Sequence, residues 1–204
     1  MNRLLATFQS VALFGLFLSK AIGAEVQRPD SEGYLRHWVM LAPVPLREGL
    51  TCAEALLQEQ IKNEAALRPK AGDPVKIGGK ELVWQNITAS TNYVDFNQVL
   101  RSINDHAIGY MVCYIECEKE MPELILAVAS NDQGRIYFNG VDIYAWTEAR
   151  PLMLDADKGR VTLKKGMNVF VFKIANEQNS WQGAMRFLTK SGAPVTDLKI
   201  RLSP

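Results

Sequence analysis

The sequence predicts an all-β chain, an antiparallel β-sandwich with one short N-terminal α-helix. Three observations carry that expectation. Beyond residue 105, short apolar or alternating runs recur with turn residues about every ten positions, the spacing of sandwich and barrel proteins. Within them Arg135-Ile136-Tyr137-Phe138 alternates into Asn139-Gly140, a dipeptide suited to a tight hairpin turn because both positions accept positive φ. Only Thr51–Leu67 shows convincing helical spacing.

The chain has 204 residues, 48% hydrophobic and 22% charged, which places it among globular rather than disordered sequences. Residues 1–24 read as an export signal. Arg3 is the basic start, Leu4 to Leu18 an apolar core, and Ala21, Gly23 and Ala24 the small residues before cleavage. A bilayer span needs about 20 apolar residues, more than this core offers. Cleavage would leave 21 basic against 22 acidic residues, a net charge of −1. So balanced a charge gives no reason to expect nucleic acid or an anionic membrane as partner. An exported chain, periplasmic or extracellular, is expected. It would have a flexible leader at 25–32 and a single domain at 33–204, without a membrane span in the mature part.

The elements follow in order. Tyr34 to Leu41 reads as a first strand, stopped by Ala42-Pro43-Val44-Pro45. Thr51-Cys52-Ala53-Glu54 has capping-box spacing, and Leu57, Ile61 and Ala65 continue as an apolar stripe until Arg68-Pro69. Pro74 to Gly79 reads as loop, Lys80–Thr88 and Tyr93–Phe96 as strands, and Leu100 to Asp105 as a connector. Ala107–Glu118 is the longest strand, apolar on both faces and therefore central. Met121-Pro122 marks a corner before the run Leu124–Ala129. After the hairpin at Asn139-Gly140, Val161–Leu163, Met167–Phe172, Trp181–Leu188 and Asp197–Leu202 complete about ten strands.

Three cysteines leave at least one thiol unpaired within the chain. Cys113 and Cys117 share a strand face about 13 Å apart at roughly 3.3 Å per residue, beyond disulfide reach. An intrachain bridge would join Cys52 to one of them, and three buried small side chains is the plainer reading. No catalytic motif emerges: no Gly-x-Ser-x-Gly, no phosphate loop, no carboxylate pair, and neither His37 nor His106 has a motif neighbour. A non-enzymatic chain is expected.

Ser130-Asn131-Asp132-Gln133-Gly134-Arg135-Ile136-Tyr137-Phe138-Asn139-Gly140 resembles the Ser-Asp-Asp-Gly-x-x-Val-Trp-Leu-Asn-Gly hairpin of galactose-binding-domain-like jelly rolls. Val161-Thr162-Leu163-Lys164-Lys165-Gly166-Met167-Asn168 through Lys173 resembles their Val-x-Leu-x-x-Gly-Trp-Asn strand pair. Trp181 with Met185-Arg186-Phe187 resembles their closing strand, and Trp38 to Pro43 their opening one. Such modules accompany secreted bacterial glycoside hydrolases and esterases, including the sugar-binding domain of family-two glycosidases. The resemblance therefore implies a non-catalytic carbohydrate-binding-type module. In related sugar-binding domains an Asp-Asp pair at this corner holds calcium. Asn131 and Asp132 supply few of the six to eight oxygens calcium takes, so no cofactor is expected and calcium is not favoured. Asp155-Ala156-Asp157-Lys158-Gly159 starts like a calcium loop but lacks its later glutamate, and reads as a turn.

Ligand contacts are expected from Asn131, Asp132 and Arg135 at the corner. Trp146 and Arg150 in the irregular stretch would stack on a sugar and donate to its hydroxyls, and Trp181 would sit at a strand edge. A glycan is the expected partner. The alternative is a structural or interaction subunit of a cell-envelope or extracellular complex, whose partner would be a protein.

Overall fold

Alternation over Ala107–Glu118 predicts a strand apolar on both faces, and the structure builds outward from it. The structure, a computed structural model, describes residues 26–204, so the expected export signal and Glu25 lie outside the described residues. The central strand is β6 (Ala107–Cys117), preceded by β1 (His37–Pro45), β2 (Pro74–Ile77), β3 (Lys80–Val83), β4 (Gln85–Thr88) and β5 (Val94–Asp95). It is followed by β7 (Met121–Asn131), β8 (Gln133–Phe138), β9 (Val141–Trp146), β10 (Asp157–Leu163), β11 (Gly166–Asn176), β12 (Gln182–Leu188) and β13 (Lys199–Arg201). Helices are short: α1 (Cys52–Leu57), α2 (Phe96–Leu100) and a 3-10 turn at Glu64–Ala66.

The strands form an antiparallel β-sandwich. A seven-stranded sheet runs β4-β1-β6-β11-β8-β9, with β13 also paired to β6. A four-stranded sheet runs β10-β7-β12-β5, and β2 and β3 make a separate hairpin. β6 and β11 pair in continuous register from Ala107↔Asn176 to Cys117↔Gly166. On one face of β6, Met111, Cys113, Ile115 and Cys117 join Phe170, Phe172, Leu126 and Phe187 in the core between the sheets. On its other face Ile108, Tyr110, Val112 and Tyr114 meet Cys52, Ala55, Leu56 and Trp84, a second core under α1 and the β2–β3 hairpin. The large sheet is thus covered on both faces, as its two-sided apolar pattern requires.

The helix expected over Thr51–Leu67 is a correction. Its start is as read: Thr51 accepts from the Glu54 amide while Glu54 takes the Thr51 amide, a complete capping box. It ends at Leu57, because Gln58 is extended and its carbonyl accepts from Lys173 at 2.6 Å instead of continuing the helix. Lys173 lies in the middle of β11, wholly buried, and calls a carboxylate to itself. Glu64 meets its Nζ at 3.0 and 3.1 Å, and both Tyr110 and Tyr137 donate to Glu64 at 2.7 Å. A buried charge is tolerated only when paired and hydrogen-bonded, and this one draws residues 58–66 onto the sheet.

Other boundaries shift for local reasons. The single strand expected at Lys80–Thr88 is broken at buried Trp84 into β3 and β4, and β2 occupies part of the expected loop. After β5, Asp95 caps the Gln98 amide and starts α2. Met121-Pro122 opens β7 rather than forming a corner. From Gln27 the leader is tied down: Gln27 exchanges backbone hydrogen bonds with Ile200, and Arg28 donates to the Asp197 carbonyl. The thiols of Cys52, Cys113 and Cys117 are free and buried, with no disulfide. Burial raises the pKa of each, that of Cys52 to about 11.

Three outcomes follow from this packing. Glu64→Ala leaves the buried Lys173 amine without its carboxylate partner, and urea unfolding should show a loss of about 3–5 kcal/mol, most of it recovered in Glu64→Leu/Lys173→Met. Burial raises the pKa values of Tyr34, Tyr110, Tyr114, Tyr137 and Tyr144, that of Tyr34 to about 12. Their folded values lie above the unfolded one, so their contribution is whole below pH about 10 and is lost as pH rises beyond it. Ultraviolet titration should show these phenols ionising together with alkaline unfolding rather than before it. Thiol titration at pH 8 should find all three cysteines silent in the native protein and all reactive in denaturant.

Candidate functional site

Chain order brings two outermost strands to the same side of the sandwich. β9 ends the seven-stranded sheet, β10 ends the four-stranded one, and residues 147–156 join them directly. Between the two rims lies a groove of about 420 Å³. Leu126, Val128 and Phe138 form its floor, Ile143 and Tyr144 one wall, and the backbone and side chains of residues 157–162 the other.

One end of the groove is polar and tightly wired. Arg150 Nη2 donates to Tyr144 Oη at 2.7 Å and to Asp157 Oδ2 at 2.5 Å, and Tyr144 Oη donates to the same carboxylate oxygen at 2.7 Å. The Arg150 guanidinium also lies over the Trp146 ring, 4.3 Å from its centroid. Burial pushes the Asp157 carboxyl up, but hydrogen bonds from Arg150 and Tyr144 outweigh it and hold its pKa below the ordinary carboxylate range. The joining loop is pinned at its other end too, where Asp155 pairs with Arg186 of β12 and accepts from Tyr34 at 3.3 Å. Both aspartates of the sequence Asp155–Gly159 are therefore engaged by arginines.

Trp146 and Arg150, expected separately as ligand contacts, stand together here. Trp146 is 36% exposed while Trp38, Trp84 and Trp181 are buried. The other expected contacts are elsewhere. Trp181 is core, stacked on Phe96 with centroids 4.4 Å apart and donating to the Ile174 carbonyl. Gly109 beneath them has no room for a side chain, since a Cβ there would lie 2.3 Å from Phe96. Arg135 turns to the α1 side of the sheet, where it donates to Asp142 at 2.7 and 3.0 Å and to the Leu57 carbonyl at 2.7 Å.

Asn131 and Asp132 are not a surface corner. β7 ends at Asn131 in one sheet and β8 begins at Gln133 in the other, so Asp132 alone carries the chain between layers. Both residues are 8% exposed. Asp132 Oδ2 accepts from the Glu177 amide at 2.8 Å, and burial raises the pKa of the carboxyl. Asn131 Oδ1, Gln133 Oε1 and Asn176 Oδ1 are buried without a hydrogen-bond partner. Among the described residues no three or more His, Cys, Asp and Glu side chains gather as a metal site.

Sequence reasoning missed two features. One is the Glu64–Lys173–Tyr110–Tyr137 cluster, signalled only by a lysine inside Val-Phe-Val-Phe-Lys-Ile. The other is Gly159, which lines the groove and would find open space in front of an added Cβ. No helix among the described residues is long and apolar enough to cross a membrane. No protein-family model matches the chain, and no curated protein is significantly similar to it.

Proposed function

We propose that the chain is an exported, non-catalytic carbohydrate-binding-type module of the galactose-binding-like jelly-roll kind, holding a glycan in the groove between β9 and β10. The observation that carries this reading is the Trp146–Arg150 stack next to that groove, joined to it through Tyr144 and Asp157, which line its polar end. An indole offers an apolar face to sugar C–H groups, and Arg150, whose Nε and Nη2 are held by Ser130, Tyr144 and Asp157, would donate to hydroxyls from Nη1. The volume lies within the about 300–1,000 Å³ typical of small-ligand sites. Chemistry on the ligand is not supported, since the groove lining holds one carboxylate, Asp157, already engaged by Arg150 and Tyr144. Glycoside hydrolysis calls for two positioned carboxyl groups.

A second reading, a structural or interaction subunit of a cell-envelope or extracellular complex, draws on a different observation. Both groove rims are unpaired strand edges, and Val141, Ile143 and Met153 beside them are exposed. Light scattering after size exclusion would favour it by showing a stable assembly that Val141→Lys disperses, and would count against it by showing a monomer.

The glycan reading is tested by tryptophan fluorescence across a polysaccharide panel, in which Trp146 is the one exposed indole. A saturable change is expected with at least one glycan. Trp146→Ala should weaken binding roughly 10-fold or more, as loss of one aromatic contact at 1–3 kcal/mol implies, while leaving the melting temperature unchanged. No response to any glycan, or an unaltered affinity in Trp146→Ala, sinks this reading.

A further inference from the structure

Most of the groove is unlike a sugar site. Past the Trp146–Arg150 end, its floor is Leu126, Val128 and Phe138, the lower edge of the core between the sheets. A sugar hydroxyl laid there would lose its water and gain no partner, a cost that a hydrocarbon avoids.

The hollow has a definite origin. Side chains alternate along β10, so Asp157, Gly159 and Val161, opposite Val128, Leu126 and Leu124, share the face turned to the floor, and beyond a shift in register Leu163 returns to it. Leu163 is buried in the core and Val161 packs against it, while Asp157 reaches Tyr144. Only Gly159 leaves its place empty: a Cβ built there meets nothing within 4 Å, and its backbone is not left-handed. A larger residue would fit the strand and fill the space, so the opening is due to the missing side chain.

Lys158 and Arg160 alternate with these residues and turn to the outer face of the sheet, where they stand 3.8 Å from Asp155 and 3.6 Å from Glu123, so β10 adds no cationic side chain to the floor of the groove.

Resting on the glycan reading, we propose that the ligand is an acylated glycan. Its sugar meets Trp146, Arg150 and Tyr144. Its acyl or alkyl chain lies on Leu126, Val128 and Phe138 in front of Gly159.

The test is isothermal titration of the purified protein with methyl β-glucoside, octyl β-glucoside and octanoate, each below its micelle concentration. Octyl β-glucoside should bind roughly 100-fold tighter than methyl β-glucoside, given the apolar area an alkyl chain buries. Gly159→Leu should erase the gain from the octyl chain and leave methyl β-glucoside binding intact, with Gly159→Ala close to the unaltered protein. Equal binding of methyl and octyl glucosides overturns the acyl assignment and leaves the glycan reading standing. Octanoate binding as tightly as octyl β-glucoside, unaffected by Trp146→Ala, overturns the glycan reading itself. The ligand series on the unaltered protein decides these points even if Gly159→Leu fails to fold.

Discussion

A lysine at the centre of a central strand is the constraint from which much of this architecture follows. Lys173 sits between Phe172 and Ile174, and its side chain emerges on the face of the large sheet that carries Val171 and Ala175. With no water to solvate it, the ammonium takes the Gln58 carbonyl and both oxygens of Glu64, and two tyrosines complete the carboxylate's shell. That demand cuts the helix short, bends residues 58–66 over the sheet and seats α1 against β8 and β11. An apolar residue at position 173 would satisfy burial equally well without specifying how the cover lies. The charge supplies that specification, at an energetic cost the hydrogen bonds offset.

The opposite face of the same sheet shows how a groove arises in a well-packed sandwich. The chain changes layer at Asp132, again over residues 147–156, and once more between β10 and β11 around Lys164-Lys165. Between the first and last of these crossings β9 and β10 stand side by side as rims of different sheets and share no ladder of hydrogen bonds. Core residues that would be sealed by a further strand instead form a floor. Arg150, bridging Tyr144 and Asp157, is the cross-link that holds the rims at one end.

The alternation of β6, apolar in both phases, was readable in the sequence because a strand buried on two faces leaves that mark on every residue. The capping box at Thr51 was readable because it is local. The extent of the helix was not: it depends on Lys173, more than a hundred residues away, competing for the Gln58 carbonyl. Trp146 and Arg150 could be picked from a stretch that reads as irregular, but that Trp146 closes β9 and stacks on Arg150 could not. Trp181 reads as core or platform at a strand edge, and it is core because Gly109 opens the space that receives it. Asp132 looked like a hairpin corner because polar residues surround it, whereas those residues line a buried passage between layers. Gly159 reads in the sequence as the end of a turn, whereas it lies inside β10. An absent side chain becomes a feature only when the neighbours that fail to fill its space are known.

The layer crossings at Asp132 and at Lys164-Lys165 bracket the groove lengthwise, and each ties one sheet covalently to the other within a few residues. Sliding or splaying of the sheets is therefore opposed at both ends, a constraint that favours a gap of constant width. A slot of this kind acts as a gauge and not as a clamp. It selects by thickness, refuses what is too broad instead of deforming around it, and demands little conformational entropy from the protein when a fitting molecule arrives.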